Sequence, residues 1–232
     1  MKTIGLIGGM SWESSIEYYR IINETVRARL GGLHSAKSIM YSVDFAEIET
    51  LQQQGKWDEA TDLMIDAAQR IERGGADFVI ICTNTMHKMA DEVQNHIQIP
   101  LLHIADATAE KIKAHGLKKI GLLGTRFTME EDFYRGRLTE KQGLEVIIPT
   151  ERERDIVHRV IFDELCLGEI KEPSKEQYVR IMDHLVRDGA EGIILGCTEI
   201  SLLIQEEDSQ IPLFDTTKIH AMAAVEYALL NH

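Results

Sequence analysis

Short apolar runs alternate with longer stretches of helical period along the whole chain. The runs fall at residues 3–7, 38–43, 78–82 and 101–104, then again at 119–123, 144–148, 192–196 and 213–215. They are continuously apolar, not alternating, and such runs mark strands covered on both faces, as in parallel sheets flanked by helices. Between them, residues 14–30, 58–73, 106–115, 176–187 and 217–230 carry helical spacing. On the first of these, Ile16, Tyr19, Ile22, Val26 and Leu30 are predicted to form the packed stripe.

The second set of runs repeats the first. Ile4-Gly-Leu-Ile-Gly8 returns as Ile120-Gly-Leu-Leu-Gly124, Ala76-Asp-Phe-Val-Ile-Ile-Cys-Thr83 returns as Ala190-Glu-Gly-Ile-Ile-Leu-Gly-Cys197, and Ile99-Pro-Leu-Leu102 returns as Ile211-Pro-Leu-Phe214. The offsets drift only from 116 to 114 to 112, so element order is kept while loops change by a few residues. A period this long indicates duplicated domains, not a solenoid. The expected fold is α/β, with two pseudo-symmetric doubly wound parallel-sheet domains and the active site in the cleft between them. Residues 1–104 plus 216–232 are expected to form one domain and 105–215 the other, with the last helix packing on the first domain.

Composition narrows the function classes. Apolar residues make up 44% of the chain, enough for buried cores, and no window approaches eighteen apolar residues. The first residues read directly as a strand, without a basic region ahead of an apolar stretch, so the expectation is a soluble, cytoplasmic protein with no membrane partner. A net charge of -13 opposes nucleic-acid binding. Cys82, Cys166 and Cys197 are widely spaced and form neither a zinc nor a CxxC pattern. His87, His96 and His103 lack metal-ligand spacing on one helix face, so no metal is expected. Gly5-Leu-Ile-Gly8-Gly9 lacks the GxGxxG spacing and a suitably placed acid, so tight-turn glycines account for it without a nucleotide.

In open parallel sheets the ligand binds beyond the carboxyl ends of the strands. The candidate loops are therefore Gly8-Gly-Met10-Ser11, Thr83-Asn84-Thr85, Gly124-Thr125 and Cys197-Thr198-Glu199. The repeat sets Thr83 opposite Cys197. If the halves face each other, these two groups flank one cleft among hydroxyl and amide donors suited to a carboxylate. Two groups on opposite faces of one carbon is what a racemase requires.

These motifs, four in order on a duplicated frame, resemble the aspartate/glutamate racemases, which use two cysteines and need no cofactor. The resemblance covers essentially the whole chain: Gly8-Gly-Met-Ser11, Thr83-Asn-Thr-Met-His87, Gly124-Thr125 and Gly196-Cys-Thr-Glu199. Where the family carries Cys-Asn-Thr, this chain has Thr83-Asn84-Thr85. Cys82 does not replace the missing thiol, because a one-residue slip along a strand turns the side chain to the other face. An atypical branch, specific for L-aspartate/glutamate, has threonine here, and the chain resembles it.

The resemblance implies a cofactor-independent racemase of acidic amino acids in which Cys197 works on the L-enantiomer and Thr83 stands on the opposite face. A cysteine ordinarily titrates near about 8.5 and a helix N-terminus can lower it, so Cys197 is expected to serve as the base. Threonine ionises too weakly to abstract an α-proton but can donate or relay one. Expected substrate contacts are Met10, Ser11, Asn84, Thr85, Thr125 and Thr198. Aspartate-selective relatives place an Arg and a Lys near the side-chain carboxylate; here the nearest positions are Gln52 and Cys166, with Arg126 as a substitute. His87 is read as bracing its loop, Cys82 and Cys166 as packed thiols, and Glu151-Arg-Glu-Arg-Asp155 as a charge-paired helix start. The partner is a small-molecule amino acid, and the assembly a homodimer, as is common in the family. Two alternatives remain: a single-cysteine decarboxylase of malonate-type substrates, where a small residue such as Gly would be expected at position 83, and a non-catalytic amino-acid-binding protein.

Overall fold

The computed structural model describes residues 1–230. The chain divides into two compact units, one of Met1–Ile104 with the residues from His220 onward, the other Ala105–Ile219. The first unit runs β1 (Ile4–Gly8), α1 (Trp12–Leu30), β2 (Ser38–Ser42), α2 (Phe45–Gln53), α3 (Trp57–Arg73), β3 (Phe78–Ile81), a 3-10 turn at Thr85–Met89 and α4 (Ala90–Asn95). Then come α5 (Ile104–Ala114), β4 (Lys119–Gly124), α6 (Arg126–Glu130), α7 (Asp132–Gly136), β5 (Glu145–Ile147), α8 (Glu151–Asp163) and α9 (Glu172–Arg187). The chain ends with β6 (Gly192–Gly196), α10 (Ile200–Leu203), β7 (Leu213–Asp215) and α11 (Thr216–Leu229).

Both sheets are parallel and wound in the same order, β2-β1-β3 in the first unit and β5-β4-β6-β7 in the second. The α/β class and the duplicated parallel sheets expected from the apolar runs are thus observed. In the first unit the alternation along β3 sorts the core into two layers. Val79 and Ile81 pack with Met64, Ala68 and Ile71 of α3, while Phe78, Ile80 and Cys82 pack with Tyr18, Ile22 and Val26 of α1 and Ala221, Ala224 and Val225 of α11. Two-sided burial explains why these strands read as unbroken apolar runs.

Two expectations are corrected. The run at 101–104 is not a full strand: Leu101 makes a single parallel bridge to Val79, and α5 already begins at Ile104. The packed face of α1 is also rotated from the predicted stripe. Ser14, Ser15, Tyr18, Ile22 and Val26 are buried, whereas Ile16 and Tyr19 are 52% and 54% exposed. The reason is polar. Ser14 Oγ donates to the carbonyl of Cys82 (3.2 Å), and Ser15 Oγ accepts from the Gly9 N–H (2.8 Å), which turns the serine face inward. Among the described residues no helix is long and apolar enough to cross a membrane.

Candidate active site

The first unit gathers the loops that follow β1 and β3. Their strands are neighbours in register, Ile7 beside Ile81, so the chain leaves the sheet at adjacent points. The turn after β1 is tight: Gly9 adopts φ +96, and a Cβ there would lie 2.2 Å from the carbonyl of Val43. Ser11 then caps α1, its Oγ accepting from the Ser14 N–H at 3.4 Å. Met10 and Ser11 are both buried, as are Asn84 and Thr85, while Thr83 is half-buried. Gln52, at the end of α2, is buried and donates from Nε2 to the sulfur of Met86 (3.1 Å), which brings α2 against the same loop. The thiol of Cys82 is fully buried in the apolar layer with Tyr18 and Ile22, and burial holds it in the protonated form.

A histidine fixes the loop bearing Thr83. The N–H of Ile104 donates to His87 Nε2 (3.2 Å), so in the neutral ring the proton sits on Nδ1 and is donated to the carbonyl of Thr83 (2.8 Å). One buried imidazole therefore caps α5 and braces the 83–85 loop. Behind it, His220 accepts from Tyr18 O–H at Nδ1 (2.9 Å) and donates from Nε2 to Leu102 O (2.9 Å). Burial lowers the pKa of His220 to about 4.

The second unit presents the matching pair of loops after β4 and β6, whose last residues Gly124 and Gly196 lie side by side. Cβ atoms would not fit: one on Gly124 would sit 2.9 Å from the Gly196 carbonyl, and one on Gly196 would sit 2.8 Å from that of Leu123. Thr125 caps α6 with its buried hydroxyl. Cys197 follows β6 directly and is 9% exposed. Its Sγ donates to Glu199 Oε2 at 3.0 Å, and Thr198 Oγ1 donates to the same oxygen at 2.6 Å. Glu199 is itself buried.

This environment corrects the expected titration of Cys197. Burial, then the negative charge of Glu199 and the nearby Cys166, raise the thiol well above its ordinary range. At neutral pH the resting form is thus a thiol, hydrogen-bonded to the side chain of Glu199. The sequence reading places Glu199 in the candidate loop after β6 but assigns it no role, although its place two residues after the cysteine is a visible signal. Cys166, in the 3-10 turn Leu165–Leu167, is half-buried and within electrostatic reach of Cys197. Among the described residues no group of three or more His, Cys, Asp or Glu is placed to hold a metal ion.

Residues 7–224 match the profile of the Asp/Glu/Hydantoin racemase family. The chain belongs to that family. A solved structure from Yersinia pestis, provisionally assigned as an Asp/Glu racemase, is 58% identical, covers 99% of this chain and 100% of its own, and superposes with a TM-score of 0.93. An aspartate racemase homologue from Pyrococcus horikoshii OT3 is 39% identical over 98% of this chain and 99% of its own, with a TM-score of 0.85. The broad specificity amino-acid racemase RacX of Bacillus subtilis (strain 168) is 28% identical over 172 residues, 72% of each chain. By family, the protein is an isomerase of the racemase type.

Proposed function

We propose that the protein is a cofactor-independent racemase of acidic amino acids, with Cys197 removing the α-proton of the L-form and Thr83 acting on the opposite face. The observation that carries this reading is the Cys197–Glu199 contact: a buried thiol 3.0 Å from a buried carboxylate, at a strand end where ligands of open α/β sheets bind. The thiol proton passes to Glu199, and the thiolate takes the α-proton. The resulting carbanion is stabilised by hydroxyl and amide donors among Met10, Ser11, Asn84, Thr85, Thr125 and Thr198. The Thr83 hydroxyl supplies a proton from the other side, and solvent restores Thr83 and removes the extra proton from Glu199.

Two features support a one-sided enzyme. The loop after β3 carries no second thiol, since Cys82 is packed in the apolar layer. A hydroxyl is a poor base for an α-proton but an adequate donor to a carbanion. Gln52, neutral and held against Met86, offers no fixed cation for the substrate side chain, which favours acceptance of both aspartate and glutamate. Neutral residues at Gln52 and Cys166 fit broad choice among acidic substrates.

The same reading places the enzyme in the cytoplasm as a homodimer. The outward stripe Trp12, Ile16 and Tyr19 of α1 lies in the unit whose edge strand is β2, and an apolar stripe in a unit with an open sheet edge suits a second copy of the chain. The test of the chemistry is proton NMR of L-Glu, L-Asp and their D-forms in deuterated water, with chiral chromatography and a Cys197→Ser variant. Loss of the α-proton signal from the L-forms, about 10² to 10⁴ faster than from the D-forms and abolished in the variant, is expected. Equal exchange of D-Glu and L-Glu would refute the one-sided reading, and no exchange of any of them would refute racemisation of these substrates.

A further inference from the structure

A cleft in the second unit, which begins at Arg126 directly after the Thr125 loop, is basic in an otherwise acidic protein. It encloses about 640 Å³ beside α6, α8 and α9, a volume ordinary for small-ligand sites. Arg126 enters from α6, Arg152, Asp155, His158 and Arg159 from α8, and Gln177 from α9. Arg152 and Arg159 stand seven residues apart on α8, two helical turns, so both lie on one face about 10 Å apart.

The charges at this cleft are only partly matched. Asp155 is ion-paired with Arg126. Arg154, on another face of α8, is taken by Glu130 (2.7 Å), and Glu153 is used in capping α8 and in its contact with His184. Among the described residues Arg152 has no carboxylate partner, and Arg159 makes only a long Nε contact to the carbonyl of Asp155 (3.4 Å). The lining thus carries three guanidiniums and one carboxylate, with Asp163 and the Arg154-paired Glu130 within electrostatic reach of His158, in a chain whose net charge is -13. The backbone N–H of Arg126 donates to His158 Nδ1 at 3.2 Å, which leaves the neutral ring with its proton on Nε2, a further donor at the cleft.

We propose that this cleft binds a small polyanion, a molecule carrying two or more carboxylate or phosphate charges, held at its ends by Arg152 and Arg159. Arginines two turns apart on one helix face select for two separated anionic groups over a single one, because a single charge pairs fully with only one of them. The cleft lining includes neither Cys197 nor Glu199, and the proposal requires nothing of the racemase reading.

Isothermal titration of the full-length protein with citrate and with inorganic pyrophosphate tests it, using acetate as the singly charged control and an Arg152→Gln/Arg159→Gln variant. Saturable binding of either polyanion at millimolar concentration or tighter, weaker for acetate and reduced at least about tenfold in the variant, is expected. Preference between citrate and pyrophosphate tells a carboxylate ligand from a phosphate one. Both substitutions are at exposed helix positions, and an unchanged circular dichroism spectrum confirms that the variant is folded. No saturable binding of either probe, or binding unaffected by the double substitution, would overturn the proposal.

Discussion

Replacing Glu199 by Gln tests the chemistry at Cys197 more sharply than removing the cysteine, because it keeps the thiol and takes away only its proton acceptor. Gln is nearly isosteric, and its carbonyl can still accept from Thr198 Oγ1, now 2.6 Å from the carboxylate oxygen. The cost to folding is the difference between hydrogen bonds to a charged and to a neutral acceptor, about 1 kcal/mol for each of the two donors. The cost to catalysis is larger. A positioned base within hydrogen-bond reach is worth about 10² to 10⁴ in rate, or about 3 to 5 kcal/mol. The variant should therefore fold and bind substrate but exchange the α-proton of L-Glu about 10² to 10⁴ more slowly. A second readout moves in the opposite direction. The negative charge of Glu199 helps hold the Cys197 thiol above its ordinary range, so its removal lowers the pH at which that thiol is alkylated. Mass spectrometry of the Cys197 peptide after iodoacetamide treatment across a pH series resolves this from the other two cysteines. A variant that ionises more readily yet turns over more slowly is the expected result. Unchanged exchange, or an alkylation profile that does not shift to lower pH, would refute the role assigned to Glu199.

Restoring a thiol on the opposite side, Thr83→Cys, is expected to raise α-proton exchange from D-Glu by about 10² or more while leaving exchange from L-Glu within a few-fold; no gain with D-substrate would show that position 83 does not face the α-carbon. Stability should fall in mild acid because of His220. Its folded pKa, lowered to about 4 from 6.5, means that below pH 6.5 the unfolded chain takes up a proton that the folded one refuses, so stability present at neutral pH is lost as pH falls toward 4. The loss is about 3 kcal/mol and should largely disappear in His220→Gln, as read by urea unfolding at neutral and acidic pH; an equal acid loss in the variant would assign the effect to other groups.

The strands were legible because they are buried on both faces, so that β3 and β6 appear as apolar runs whatever their neighbours are. The repeat made the equivalence of the loops after them visible as well. What was not legible depended on polar contacts between distant residues. The apolar count on α1 pointed to Ile16 and Tyr19, but the helix is turned by Ser14 and Ser15, whose partners are backbone groups of Cys82 and Gly9. The run at 101–104 was as apolar as a strand should be, yet the N–H of Ile104 is taken by His87, seventeen residues earlier, and begins a helix instead. At the candidate site, the residue types after β3 and β6 could be read directly, whereas the orientation of Glu199 toward Cys197 follows from the turn after β6, which no periodicity encodes. The basic cleft was hidden for a similar reason: Arg126 is separated from Arg152 and Arg159 by α7, β5 and their connections, and in the sequence these arginines sit among acids.

The body of α11 lies in the apolar layer of the first unit, where Ala221, Ala224, Val225 and Ala228 pack against Tyr18, Ile22 and Phe78, and Lys2 donates its N–H to the carbonyl of Ala228 (2.9 Å). That unit is therefore sewn from both sides of the second one, and its order of assembly on the ribosome is set. Residues 1–104 emerge first and bring α1 for one face of their sheet, but the part of that layer filled by α11 stays open until residue 228 has been made, whereas all of residues 105–219 are available earlier. Synthesis thus favours completion of the second unit before the first. During that interval the apolar surface that α11 covers, beside Tyr18, Ile22 and Phe78, is exposed, and this is the stage at which the nascent chain would most need protection from aggregation.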